Sequence, residues 1–304
     1  MDLNLRLVRY LVAVVEEGHF GRAAKRLYIS PPALSQQVRK LERALGVPLL
    51  DRSAHPVRPT PAGESFLAEA RVALDAADRA VAAVRAHHRR QAATLRLGFM
   101  TAPAGWRIGQ LLDELRGEVP ELSVELVELP WAQQVTAVRD GVVDAALVRL
   151  PFAATRGLRF DPVHVEGRVV ALATTHPLAA RDAVDLADLD DEPHVTDDDA
   201  DPVWVRWWAC DPRPSGVPVR YGPSVNTMDA LLEAVASRQA VAITGAFVAE
   251  SYRHPEVAFV PLVGVEPGLL AICTRAEDPS PLVVALRRAA RVVRDEDASL
   301  LTLG

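Results

Sequence analysis

The sequence predicts a multi-domain chain in three parts: a small N-terminal α-helical domain, one long linking helix, and a larger α/β body. Three observations carry that prediction. Helical apolar spacing runs through residues 4–46, and a narrow seam of three- and four-residue steps then extends from Leu67 to Val84. From Thr94 onward, short strands and amphipathic helices alternate. Charge divides along the same line. Residues 1–60 carry ten Lys+Arg against five Asp+Glu, a net +5, which leaves −11 for the other 244 residues of a chain whose total is −6. A basic head on an acidic body is what phosphate binding by one small domain requires.

The first helix is expected over residues 4–17, with Leu7, Tyr10, Leu11 and Val14 on one face and Gly18 as its end. A short helix over 21–27 follows, with Phe20, Ala23, Ala24 and Leu27 on one side; the two alanines let another helix cross close by. Tyr28, Ile29 and Ser30 make a turn. Ser30 reads as an N-cap, and Pro31 fits the first helical position, where its missing N–H costs nothing. Pro32 lacks the next N–H, so the Ser30 hydroxyl should reach the N–H of Ala33. Leu34, Val38, Leu41 and Leu45 then form a buried stripe, opposite Gln36, Arg39, Lys40 and Arg43, and Gly46 supplies the stop. This is a helix-turn-helix pattern, with a helical hairpin carrying a solvated basic face as the plainer alternative. Residues 47–50 read as a short strand, and Arg52 and Arg58 flank a Pro-rich turn shaped like a hairpin wing.

The stretch GHFGRAAKRLYISPPALSQQVRKLERALGVPLLDRS resembles the N-terminal domain of the LysR-type transcriptional regulators. The resemblance is dense over residues 3–63 and looser but in order beyond. It implies a winged helix-turn-helix DNA-binding domain at 1–60 and a linker dimerisation helix at 61–91. It also implies an effector-binding domain at 92–304, built as two lobes similar to periplasmic solute-binding proteins. Lobe I would be about 92–161 and 266–304, and lobe II about 162–265. Pro31, Pro32, Ser35 and Gln36 match the family's base-contacting positions. Most members have Gln at 31 and often Arg at 36, which puts the inherited base preference in doubt. The family's Leu-Thr-Pro-Ala-Gly is here Pro59-Thr60-Pro61-Ala62-Gly63, so the returning wing strand should be short. The implied partners are double-stranded DNA with an interrupted palindrome, a small-molecule effector, RNA polymerase, and further copies of the chain as a homodimer or homotetramer.

Read from the residues themselves, Gln36 is suited to a bidentate contact with adenine and the two prolines to apolar contact with a thymine methyl. Arg22, Arg39, Lys40, Arg52 and Arg58 suit phosphate or minor-groove contacts. Thr60 and Pro61 form another cap and first-turn pair, with Glu64 where the helix dipole favours an acid. The helix they open should reach about residue 90. Leu67, Ala70, Leu74, Ala77, Val81 and Val84 form its coiled-coil-like seam, expected to meet a second copy; packing on the helix's own domain is the alternative.

Beyond it, strands are expected near residues 95–99, 122–129, 142–148, 169–174, 195, 219, 240–244, 259 and 269–274. Helices are expected at 108–115, 131–139, near 187, 204–208, 228–237 and 282–294, in a pattern that suggests a parallel sheet. The resemblance implies that the last strand and helix return to the first lobe. Loops after the strand ends should line a cleft: Thr101, Ala102, Trp131, Arg149, Thr196, Asp197, Asn226, Thr227 and Thr244. Hydroxyls and helix starts suit a small carboxylate that Arg149 could pair. Asp197, Asp198, Asp199 and Asp201 instead favour a cationic or amino-acid effector, unless they are a solvated acidic loop. Where the family has Gly-x-Gly and then Pro, this chain has Arg238-Gln239-Ala240 and Gly245, which puts that pocket wall in doubt.

The eight histidines show no metal-ligand spacing, and no nucleophile elbow, Walker loop or dinucleotide fingerprint is present, so neither a cofactor nor a metal nor an enzyme is expected. Cys210 and Cys273 read as packed thiols; an oxidation switch at Cys210 rests on resemblance alone. With no apolar run long enough for a bilayer and no signal-peptide layout, a cytoplasmic location is expected. The reading is therefore a sequence-specific, effector-modulated transcriptional regulator. The alternative is a cytoplasmic small-molecule sensor whose N-terminal domain only mediates assembly.

Overall fold

Helix α1 (Leu5–Glu17) begins where the Asn4 side chain accepts the Arg6 N–H at 3.0 Å and ends at Gly18, whose φ of +58° a side chain would disfavour. Helices α2 (Phe20–Arg26) and α3 (Pro31–Leu45) follow. The computed structural model describes residues 3–54, 56–91, 93–100 and 105–295. They fall into two units, Met1–Val84 and Arg85–Gly304.

In the first unit the expected stripe is buried: Leu34, Val38 and Leu41 pack with Leu7, Leu11, Val14, Ala23 and Ala24, while Leu45 is half-buried. Ser30 caps α3 as expected, its Oγ accepting the Ala33 N–H at 3.4 Å. The expected strand at 47–50 is a correction. Only Leu50–Asp51 forms a strand, β1, paired antiparallel with the two-residue β2 (Arg58–Pro59). The Val47 N–H still bonds the Glu42 carbonyl at the end of α3 (3.2 Å) and Pro48 has no N–H, so pairing with the wing starts late; Glu42 Oε1 accepts the N–H groups of Leu49 (2.9 Å) and Leu50 (3.2 Å).

Helix α4 (Pro61–Gln91) is capped by Thr60, whose Oγ1 accepts the Gly63 N–H at 3.0 Å. Position 63 has to be glycine, because a Cβ there would lie 2.0 Å from the Leu49 carbonyl oxygen. The seam of α4 divides in two. Leu67 joins the core of α1–α3, and Ala70 and Leu74 pack on Val8 with Leu5, Val12 and Phe66. Ala77 is half-buried, and Val81 (52% exposed) and Val84 (59% exposed) are open.

The second unit has two main sheets. The first has the order β4 (Ser123–Glu128), β3 (Thr94–Phe99), β5 (Ala145–Arg149), β13 (Gly268–Arg275), β6 (Leu158–Glu166). Helices α5 (Gly105–Glu118) and α10 (Pro281–Asp295) pack on it: Leu111, Leu115, Leu286 and Ala290 share a core with Leu97 and Ile272. The sheet is mixed, which corrects the parallel expectation: β3 runs parallel to β4 and β5, but β13 is antiparallel to both β5 and β6. The late return of β13 was expected from resemblance; its direction was not.

Strand β6 was not foreseen. Pro162 breaks its apolar alternation, and the strand tolerates that residue because it is an edge strand with a register shift opposite Leu270 and Ala271. The chain then passes at Gly167 into the second sheet. That sheet has the order β11 (Ala242–Gly245), β7 (Arg168–Ala173), β12 (Val257–Val263), β8 (Val184–Asp185), and it is also largely antiparallel. Strands β9 (His194–Thr196) and β10 (Tyr221–Ser224) pair in parallel, and a bridge from His194 to Val241 ties β9 beside β11. The expected helix over 131–139 is broken into a 3-10 turn (Trp131–Gln133) and the one-turn α6 (Thr136–Arg139), while residues 186–189 form only a 3-10 turn. Helices α7 (Pro202–Ala209), α8 (Met228–Ala236) and the unforeseen α9 (Ala246–Ser251) complete the unit.

Candidate DNA interface and effector pocket

On α3, the side opposite Leu34, Val38 and Leu41 is open. Pro31, Pro32, Gln36, Arg39 and Lys40 are exposed and Ser35 is half-buried. Ser35, Gln36 and Arg39 line a shallow depression with Glu42, Arg43 and Pro48. Arg58 is exposed on the wing, and Arg22 is exposed while donating to the Glu17 carbonyl.

Arg52 is placed differently from the other candidates. Its Nη1 donates to Ser35 Oγ at 3.0 Å, its Nη2 to Glu42 Oε2 at 3.0 Å, and its guanidinium lies 5.0 Å from the Phe20 ring centre. It therefore ties the wing to α2 and α3, and it donates to the Ser35 hydroxyl, whose own O–H remains able to donate. Sequence reading missed both Phe20 and Glu42 in this clamp, because the pairing across 10 residues from Glu42 to Arg52 has no local periodicity.

The second unit holds a cavity on an aromatic and apolar wall. Met100, Trp131, Trp204, Trp208, Met228 and Leu231 line it, with Arg149, His194, Thr196, Asp197 and Thr244. Counted over the positions a water's centre can take, it measures about 50 Å³, room for roughly three to five waters at ~10–15 Å³ each. Of the sequence candidates, Trp131, Arg149, Thr196, Asp197 and Thr244 come together here. Asn226 and Thr227 do not line the cavity: both are exposed, and Thr227 Oγ1 is engaged as the cap of α8, accepting the Ala230 N–H at 3.2 Å. Thr101 and Ala102 lie outside the described residues.

Arg149 is not a spare cation. Its Nε donates to Glu166 Oε1 at 2.7 Å, with the two side chains 4% and 1% exposed. Glu166 Oε2 accepts the Phe247 N–H at 3.2 Å, and the Arg149 carbonyl accepts from Trp204 Nε1 at 3.0 Å. Gly245 makes this arrangement possible, since a Cβ there would sit 2.2 Å from Glu166 Oε2. His194 bridges β9 and β11. Its Nδ1 lies 2.7 Å from the Val195 carbonyl oxygen, so it donates there, and its Nε2 accepts the Ile243 N–H at 3.0 Å. That pair of bonds requires the neutral ring, and burial, with a smaller push from Arg213 and Arg168, lowers its pKa to about 4.

Asp197 is buried. Its Oδ1 accepts the Asp199 N–H at 3.0 Å, and Oδ2 has no hydrogen-bond partner among the described residues. Desolvation raises its pKa, with the neighbouring aspartates Asp199 and Asp198 adding to the effect. Asp198 and Asp199 are exposed, and Asp201 caps α7 by accepting the Val203 N–H at 2.8 Å. At the other end of α7, Arg168 stacks 4.4 Å from the Trp207 ring centre and donates to the Trp207 and Trp208 carbonyls. Cys210 is half-buried, and Cys273 is fully buried, its thiol pushed up to about 12 by burial. Among the described residues, no three His, Cys, Asp or Glu side chains gather as a metal site, and no helix is long and apolar enough to cross a membrane.

Two family descriptions match this chain. "Bacterial regulatory helix-turn-helix protein, lysR family" covers residues 5–64, and "LysR substrate binding domain" covers residues 88–294. The chain belongs to the LysR family. The uncharacterized HTH-type transcriptional regulator YnfL of Escherichia coli (strain K12) is 38% identical over 196 residues, which is 64% of this chain and 66% of the relative. The HTH-type transcriptional regulator AlsR of Bacillus subtilis (strain 168) is 33% identical over 194 residues, 64% of each. The aligned stretch thus spans just under two thirds of these relatives. Among solved structures, full-length CbnR complexed with its target DNA has 26% identity and a TM-score of 0.55, over 96% of this chain and 100% of that one. A full-length OxyR variant from Pseudomonas aeruginosa has 26% identity and a TM-score of 0.52, over 95% and 100%.

Proposed function

We propose that this LysR-family chain is a sequence-specific DNA-binding transcriptional regulator, and not an enzyme, whose grip on an interrupted palindrome responds to a small molecule in the C-terminal cavity. The observation that carries this reading is the exposed polar face of α3, with Gln36, Arg39 and Lys40 held outward by buried Leu34, Val38 and Leu41. Residues 1–60 would dock on the duplex, the helix over 61–91 would pair two copies, and residues 92–304 would hold the effector. A homotetramer and a cytoplasmic setting follow from the same reading.

Pro31, Pro32, Ser35 and Gln36 are assigned to base edges, and Arg22, Arg39, Lys40 and Arg58 to phosphates. Arg52 orients Ser35 and the wing. The effector residues are Trp131, Arg149, Thr196, Asp197 and Thr244, and the self-association residues are Ala77, Val81 and Val84 on the open part of α4. The test is a footprint on the DNA flanking the protein's own gene, repeated from 50 to 200 mM salt. Several phosphate contacts predict a fall in affinity on the order of a thousandfold over that range. A flat salt response with no protected site would leave the sensor reading, in which the N-terminal unit serves assembly alone.

A further inference from the structure

We infer that the cavity of the C-terminal unit selects a compact apolar amine, its nitrogen held on Asp197, and rejects the carboxylate of the same size. The inference rests on the effector reading above and names its ligand class.

The charges on the cavity wall decide it. Arg149 is the one cation among the described lining residues, and its charge is met by Glu166 at 2.7 Å inside the protein. Glu166 is itself held by the Phe247 N–H at 3.2 Å and fits only because residue 245 has no Cβ. His194 is neutral, with its Nε2 lone pair taken by Ile243. Asp197 is left as the one lining acid with no cation against it, 5% exposed, with Oδ2 lacking any partner among the described residues. A buried carboxylate oxygen without a donor is costly, and a ligand N–H removes that cost. An anionic ligand would instead place like charge beside it.

The rest of the wall suits the same ligand. Trp131 and Trp204 lie with ring centres 5.9 Å apart, and Trp204 and Trp208 6.3 Å apart. Indole faces attract an ammonium group and also bury an apolar body. The Nε1 donors of Trp131 and Trp208 are likewise buried without partners among the described residues.

The experiment titrates the full-length protein calorimetrically with two size-matched series: n-butylamine, n-butanol and butyrate; and benzylamine, benzyl alcohol and benzoate. The amine of at least one series is expected to bind about tenfold or more tighter than its alcohol and its carboxylate. Asp197→Asn should abolish that preference while Asp198→Asn, at an exposed position outside the lining, retains it. Glu166→Gln, which returns the Arg149 charge to the cavity, should raise carboxylate affinity by about tenfold, and the bound carboxylate should raise that variant's melting temperature. Circular dichroism confirms that each variant is folded. Carboxylates binding best to the unaltered protein would overturn the inference. So would an Asp197→Asn variant that keeps its amine preference, or amines no tighter than about 10 mM in both series. Binding of the flanking-DNA duplex is measured on the same samples, so failure of the amine assignment and failure of the regulator reading are told apart.

Discussion

Acidification should loosen the second unit through His194. In the fold its Nδ1 donates to Val195 and its Nε2 accepts from Ile243, so protonation would put a donor against a donor in a buried site. The folded pKa is about 4, against 6.5 for the free side chain. Because the folded value is depressed, the unfolded chain takes up the proton first. Stability is therefore complete above pH 6.5, falls as pH drops below it, and has lost the full contribution once pH is below 4. By linkage the loss is about 2 kcal/mol at pH 5 and about 3 kcal/mol below pH 4. All five tryptophans lie in residues 85–304, so their fluorescence in urea melts reports this unit alone. His194→Gln keeps a neutral donor and acceptor but does not titrate. Its stability should fall less between pH 7.5 and 5 than the parent's, by about 2 kcal/mol; carboxylates that titrate in both proteins cancel in the comparison. Parallel pH profiles for the two proteins would refute the reasoning.

On α3, Gln36→Ala should lower affinity for the specific site by about 1–3 kcal/mol and relax base preference at one position, measured by anisotropy on site variants. Lys40→Ala should weaken specific and random duplexes alike and reduce the salt slope by about one per protomer; equal losses on both duplexes for Gln36→Ala would remove it from base readout. Glu42→Ala should strip hydrogen-exchange protection from the Leu49 and Leu50 amides, and unchanged protection there would show that the clamp is idle. Val81→Asp should weaken self-association by about tenfold or more in sedimentation without lowering stability. Leu74→Asp should instead destabilise the first unit by a few kcal/mol, since it buries a charge against Val8.

The first unit was legible because its signals are local. Ser30, Pro31 and Gly46 are end signals that act within three residues, and the stripe from Leu34 to Leu41 is one face of one helix. What sequence reading lost there was set across longer separations. Glu42 reaches forward from α3 to the amides of Leu49 and Leu50, and Arg52 reaches back 17 residues to Ser35. The seam of α4 shows the same limit in another form. Spacing alone marks Leu67 to Val84 as a continuous stripe, but α1 covers only its first half, and nothing in the period marks where that cover stops.

The cavity was half legible for a related reason. Loops after strand ends can be placed by alternation, which grouped Trp131, Arg149, Thr196, Asp197 and Thr244, and these line one cavity. Alternation says nothing of which charge is already answered. Arg149 invited a carboxylate until Glu166, 17 residues away on the unforeseen edge strand β6, was seen to occupy it. Gly245 carried the missing information. Without a Cβ it leaves the space that the Glu166 carboxylate fills, and that carboxylate leaves Asp197 to set the sign of the pocket. A substitution to Ala at 245 should therefore act on effector choice at a distance, by displacing Glu166 and releasing Arg149, although residue 245 itself does not line the cavity.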